Sequence, residues 1–176
     1  MTASEVIAAL GLRPHPAEGG YFAETYRCDE RIAAGALPER YGGGRSLGTA
    51  IYYLLSPESI SAMHRLKSDE VFHFYLGDAV EQLQLFPDGT GQVVTLGTEL
   101  AAGQRPQAMV PRGVWQGARL KTGGAWALLG TTVAPGFEFA DYEHGRRAEL
   151  VAAYPAFAAE IEKLTRHNST TDGGNR

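Results

Sequence analysis

AMHRLKSDEVFHFYLG, residues 62–77, is the stretch whose reading sets the fold. It places His64, Glu70 and His73 in short β-type runs joined by Lys67-Ser68-Asp69. If residues 63–66 and 70–75 pair as a hairpin, His64 and Glu70 approach each other on one face of it. An imidazole beside a carboxylate is a general acid/base pair or part of a metal site. The plainer alternative is a satisfied structural pair at a strand end. His73 has strand parity opposite to Glu70, so in a regular strand only one of the two points inward, and His73 then serves the structure or a subunit interface.

Outward from this stretch the β pattern continues on both sides. Residues 21–27 (YFAETYR), 47–55 (LGTAIYYLL), 79–86, 92–96, 107–110, 114–120 and 125–133 read as short strands. Between them stand turn formers: Ser56-Pro57-Glu58-Ser59, Gly77-Asp78, Pro87-Asp88-Gly89-Thr90-Gly91, Gly103, Pro111-Arg112-Gly113 and Lys121-Thr122-Gly123-Gly124. That spacing predicts an all-β sandwich or barrel. In residues 21–27 one face carries Tyr21, Ala23, Thr25 and Arg27 and the other Phe22, Glu24 and Tyr26. Polar and apolar groups on both faces suit a strand that lines a wet pocket or an interface. Before it, His15-Pro16-Ala17-Glu18-Gly19-Gly20 is a turn-rich loop.

Helices are expected only at the ends. Thr2 with Glu5 forms a capping box ahead of the apolar stripe Val6, Ile7 and Leu10, and Gly11 closes the short helix. Residues 144–153 and 155–164 are rich in Ala, Glu and Leu, with Pro155 as first residue of the second helix. From His167 onward there is no apolar residue, so residues 167–176 are expected to be a disordered tail behind a single domain of residues 1–166.

Composition narrows the function. A net charge of −4 with mixed acids and bases lacks the footprint of a nucleic-acid binder, which points to a small-molecule partner. The one cysteine, Cys28, allows no internal disulfide and has no activating neighbour beyond arginines, so it is read as inert. MTASEVIAAL lacks the layout of a signal peptide and no apolar run reaches membrane-span length, which gives a cytoplasmic expectation. The sequon at Asn168 is then incidental.

His64, Glu70 and Gly77 resemble the first cupin motif, with Leu66 in the place of its second His. Pro111-Arg112-Gly113-Val114-Trp115-Gln116 resembles the second motif, with Gln116 where a further His would stand. Closer still, GGYFAETYR, TAIYYLL, HRLKSDEVFHFYLGD, AGQRPQAMVPRGVWQGA and TVAPGFEFADYE resemble the DUF985 (cupin 5) family, over residues 5–155. The resemblance implies a double-stranded β-helix, the cupin jelly-roll barrel, with a short N-terminal helix and C-terminal helices packed outside. It also implies a polar cavity in the barrel and a homodimer, which we place at a sheet face or at residues 21–27. It implies no single reaction, because the family is largely uncharacterised and the fold hosts isomerases, oxygenases, decarboxylases and plain binders.

Leu66 and Gln116 decide the chemistry expected of that cavity. Leucine cannot coordinate and a glutamine amide is a weak neutral ligand, so His64, Glu70 and Gln116 suit Mg or Ca better than a first-row metal. The expectation is therefore a site without metal or cofactor. His64 acts as base, Glu70 orients its ring, and Gln116 with Tyr52 holds a developing oxyanion. Gln116, Tyr75, Trp115, His73 and Arg27 are the candidate substrate-binding residues, although core packing is the plainer reading of the aromatics. Arg27, Arg105 and Arg112 are candidates to hold a carboxylate or phosphate, against the plainer reading as solvated surface. Asp141 is read as the cap of the turn after the last strand. The expected function is acid/base chemistry (epimerisation, isomerisation or cyclisation) on a small polar or sugar-like substrate. The alternatives are a non-catalytic small-molecule binder and a metal-dependent cupin using His64, Glu70 and Gln116.

Overall fold

The alternation in the sequence becomes thirteen strands in the computed structural model, which describes residues 1–165. They are β1 (Arg13–Pro14), β2 (Tyr21–Arg27), β3 (Arg31–Ile32), β4 (Arg45–Ser46), β5 (Thr49–Leu55), β6 (Ile60–Leu66), β7 (Asp69–Gly77), β8 (Val80–Leu85), β9 (Gly91–Leu96), β10 (Gln107–Val110), β11 (Trp115–Leu120), β12 (Ala127–Ala134) and β13 (Tyr142–His144). A six-stranded sheet in the order β1-β2-β5-β12-β7-β10 and a five-stranded sheet in the order β13-β6-β11-β8-β9 form the jelly-roll body, and β3 pairs with β4. All named pairs in the two large sheets are antiparallel.

Side-chain alternation sorts the residues into three apolar clusters. Between the sheets, Phe22, Tyr53, Leu55, Phe72, Phe74 and Leu129 meet Val80, Ala118 and Leu120. Helix α1 (Ala3–Leu10), with the expected Thr2/Glu5 capping box and left-handed Gly11, lays Val6 against Leu54 and Leu128 on the outer face of the six-stranded sheet. Helices α2 (Arg147–Ala153) and α3 (Ala158–Lys163) bury Leu150 and Ile161 against Met63, Leu83 and Leu85 of the other sheet. Each such fully buried side chain contributes about 1.5–3 kcal/mol.

The hairpin expected around residues 63–75 does not form. β6 lies between β13 and β11 in one sheet, and β7 between β12 and β10 in the other. Lys67-Ser68 is therefore a corner between sheets. Two-residue hairpin turns need positive φ, which among the described residues only glycines adopt. The corner is held from outside instead: the Ser68 hydroxyl lies 3.0 Å from the Pro135 carbonyl oxygen and 3.1 Å from the Tyr41 hydroxyl. His64 and Glu70 thus come from opposite sheets.

Smaller departures have local causes. The helix expected from residue 144 begins at Arg147, because Tyr142–His144 adds to β6 as a strand. Pro155 opens a 3-10 turn, Pro155–Phe157, ahead of α3. Asp141 is no turn cap: it is buried and takes Arg45 Nε and Nη2 at 2.7 and 2.6 Å on its two oxygens. The tail expected over residues 167–176 lies outside the described residues.

Candidate active site

One end of the barrel encloses a cavity of about 170 Å³, lined among others by His15, Glu18, Phe22, Arg27, Glu70, Thr131 and Phe139. Two strand bulges and one loop shape it. In β6, Ser61 pairs with Ala118 and His64 with Gln116, so three steps on β6 face two on β11, and this bulge turns both Ser61 and His64 inward. In β2, a bulge between Glu24 and Tyr26 reverses the expected parity of Arg27, which joins Phe22 and Glu24 on the cavity side. The loop before β2 folds in over the barrel end, where a Cβ on Gly20 (φ 68°) would come within 2.7 Å of the Leu54 carbonyl oxygen.

That loop delivers Glu18, which the sequence reading misses together with His15 and Ser61. The Glu18 carboxyl accepts the Ser61 hydroxyl at 3.1 Å and stands 3.7 Å from His64 Nε2 and 3.8 Å from His15 Nε2. His15 Nδ1 accepts the Glu18 backbone N–H at 2.9 Å, so the neutral ring carries its proton on Nε2, toward the carboxyl. His64 Nδ1 lies 2.8 Å from the Ala62 carbonyl and must donate to it, which leaves Nε2 as the lone-pair atom facing Glu18. The backbone carbonyl, not Glu70, orients the His64 ring, and Tyr142 stacks on it at 5.0 Å. Gln116, buried and not itself among the residues that line the cavity, donates its Nε2 to Glu70 Oε2 at 2.6 Å.

Burial sets the protonation states. Glu70, 7% exposed, is raised to about 7, first by desolvation and then by the nearby Glu18, against the opposing His64, Gln116 and Thr131. Desolvation also raises Glu18, opposed by His15 and the Ser61 hydroxyl. Desolvation lowers His64, opposed by Glu70 and the Ala62 carbonyl. Neither carboxyl pairs with Arg or Lys among the described residues, so nothing forces both to ionise. His64 Nε2 and Gln116 Oε1 are buried without hydrogen-bond partners among the described residues.

Other residues expected at the site lie elsewhere. Tyr52 and Tyr75 meet edge to face at 6.0 Å on the outer face of the six-stranded sheet, and His73 stacks on Tyr75 at 6.3 Å there. Tyr52 therefore holds no oxyanion in the barrel. Trp115 packs on the outer side of the five-stranded sheet, under the Arg65 guanidinium. Arg27 lines the cavity, but its charge is engaged by Glu24 at 2.8 Å and Glu138 at 3.2 Å. Arg105 is turned back to the carbonyls of Gly103 and Gln104.

A family model described as Cupin superfamily (DUF985) matches residues 4–145. The chain belongs to the DUF985 cupins. An uncharacterised Saccharomyces cerevisiae protein is 29% identical over 134 residues, a match that takes in 71% of this cupin and 66% of the yeast protein. This cupin thus spans just under two thirds of that curated relative. A Shewanella oneidensis structure aligns with a TM-score of 0.83 at 34% identity, covering 94% of this chain and 98% of that one. A hypothetical protein from Leishmania major gives 0.85 at 31%, covering 95% and 100%. Bacillus subtilis oxalate decarboxylase, at 14% identity and a TM-score of 0.51 over 87% of this chain and 37% of that one, shares the fold alone.

A cupin fold implies a metal held largely by imidazoles, and the residues present do not fit one. Leu66 offers no donor atom, and Gln116 gives its amide N–H to Glu70. Among the described residues no three His, Cys, Asp or Glu side chains converge as a metal-binding group. At the cupin-motif positions His64 would be the sole imidazole beside the Glu70 carboxyl and the Gln116 amide, a poor match for a first-row ion, and the cavity's other imidazole, His15, is turned to Glu18 at 3.8 Å.

Proposed function

We propose that this cupin is an acid–base enzyme that moves a proton at a carbon of a small polar, sugar-like substrate, by epimerisation, isomerisation or cyclisation, without metal or cofactor. The observation that carries the reading is the pair Glu18 and Glu70, two shielded carboxyls on one cavity with no Arg or Lys partner among the described residues. Burial raises both carboxyls, Glu70 to about 7, so the pair resists carrying two charges at once. Glu70, with Gln116 on Oε2, carries the proton on Oε1 and acts as the acid toward a carbonyl or hydroxyl oxygen. Glu18, positioned by Ser61 and the His15 ring, carries the charge and takes the proton from carbon. His64 sits 1% exposed behind Glu18, which keeps it from being the base that contacts substrate.

Deuterium wash-in tests the reading. Small hydroxy-carbonyl compounds incubated with the protein in heavy water are expected to exchange one C–H, followed by proton NMR. Wild-type protein that binds a compound without any wash-in would instead favour the plain binder. We also propose a homodimer through the outer face of the six-stranded sheet, where α1 leaves Tyr75, Leu76 and Met109 at 45, 56 and 53% exposure. Light scattering is expected to give a dimer for wild type and a monomer for Leu76→Glu.

A further inference from the structure

Beside the cavity, on the other side of Leu66, a second hollow of about 520 Å³ opens on the surface. It is lined by Arg40, Arg65, Lys67 and Arg112, with Asp141 and Glu143 as its acids. These cations come from separate parts of the chain: the 3-10 turn Glu39–Tyr41, the end of β6 and its corner, and the turn between β10 and β11. Their convergence is a product of the fold.

The two acids do not balance them. Glu143 is taken by Arg65 through bonds of 2.8 and 2.9 Å. Asp141 is already matched by the buried Arg45, and the Lys67 ammonium approaches it only to 3.8 Å. Arg40 is fixed over the Tyr41 ring at 4.7 Å with its Nε donating to the Lys67 carbonyl at 3.1 Å, which spends no charge. The Arg112 side chain has no ion-pair partner among the described residues, its backbone N–H alone being bound, to Asp69. Arg40, Lys67 and Arg112 therefore leave three positive charges in one hollow of a chain whose net charge is −4. Like charges held together repel, and an anion seated among them relieves that repulsion while taking charge-assisted hydrogen bonds. The hollow is of small-molecule size.

We propose that this hollow is a second binding site, for the phosphate or diphosphate group of a small soluble molecule, separate from the acid–base cavity. Calorimetric titration of the full chain with sodium pyrophosphate, at ionic strength held constant with sodium chloride, is expected to show one saturable site, with inorganic phosphate competing more weakly. Arg112→Ala, which removes no side-chain hydrogen bond or ion pair among the described residues, is expected to weaken pyrophosphate by roughly tenfold or more. Lys67→Ala combined with it is expected to abolish binding, with circular dichroism confirming the fold. Glu70→Gln is expected to bind as wild type does, so a failed acid–base reading leaves this result standing. No saturable binding at constant ionic strength, or binding that Arg112→Ala and Arg112→Glu leave unchanged, overturns the proposal. Binding to phosphatidic acid vesicles without binding to pyrophosphate also overturns it, assigning the cations to a lipid surface.

Discussion

The two ends of the barrel are made by the same strands and bury opposite chemistry. Inward along β7 the chain reads Phe74, Phe72, Glu70; along β12, Leu129 and then Thr131; along β11, Leu120, Ala118, Gln116. β7 and β11 pass from apolar to polar toward the cavity end, and β12 sets Thr131 there beside the apolar Val133. The closed end, with Leu55, Val80, Leu120 and Leu129 packed together, holds stability in removed apolar surface. The cavity end gives stability up, because a buried carboxyl with an amide and a hydroxyl for company is costly to ionise. That cost is also what brings a carboxyl to about 7, where it can give and take protons. One end serves the fold and the other the chemistry, so substitutions at the two should move different quantities.

The largest effect is expected at the cavity end. Glu70→Gln or Glu18→Gln should lower deuterium wash-in by about 10²–10⁴-fold while ligand affinity changes far less. Loss of binding in step with wash-in would leave the pair no catalytic share. At the closed end, Leu129→Ala should cost about 2–5 kcal/mol in urea unfolding, with wash-in per folded molecule unchanged. A shifted pH profile in that variant would show that the two ends are coupled.

Smaller, and of opposite sign, is the stability effect of Glu70→Gln. A carboxyl raised on folding from 4.5 to about 7 contributes stability that is fully present below about pH 4.5 and lost as pH rises through about 7. The neutral glutamine escapes that loss, so the variant should match wild type near pH 4 and gain on it toward pH 8, by at most about 3 kcal/mol. A stability difference that does not vary with pH would remove Glu70 as the acid. The smallest effect is expected from chelator: wash-in should survive it. Near-stoichiometric metal in elemental analysis, with activity lost on removal and recovered on return, would make His64, Glu70 and Gln116 ligands.

The strands were legible because their signal is local. Period-two alternation, the Thr2/Glu5 capping box and turns such as Pro87 to Gly91 act within a few residues, and residues 107–110 form a strand with the bounds the pattern predicts. Which face of β5 turns inward was not legible. Ile51, Tyr53 and Leu55 on one face and Ala50, Tyr52 and Leu54 on the other are equally apolar, since the core covers the first and α1 the second. Tyr52 was therefore expected in the cavity, while Tyr53 is the tyrosine that faces in.

The sequence by itself determined the strands, the terminal helix and the family, along with Glu70 and Gln116 as polar side chains in the barrel. Only the tertiary structure decided their company. Pairing partners are set by long-range packing, so Lys67-Ser68 became a corner and His64 faced Glu70 from the opposite sheet. A bulge is an extra residue counted against a neighbouring strand, which no single strand's pattern contains, and two of them turned His64 and Arg27 inward. Glu18 arrived on a loop whose path depends on the barrel end it covers, and its Gly19-Gly20 pair was the one local sign that the chain there must fold close against other backbone.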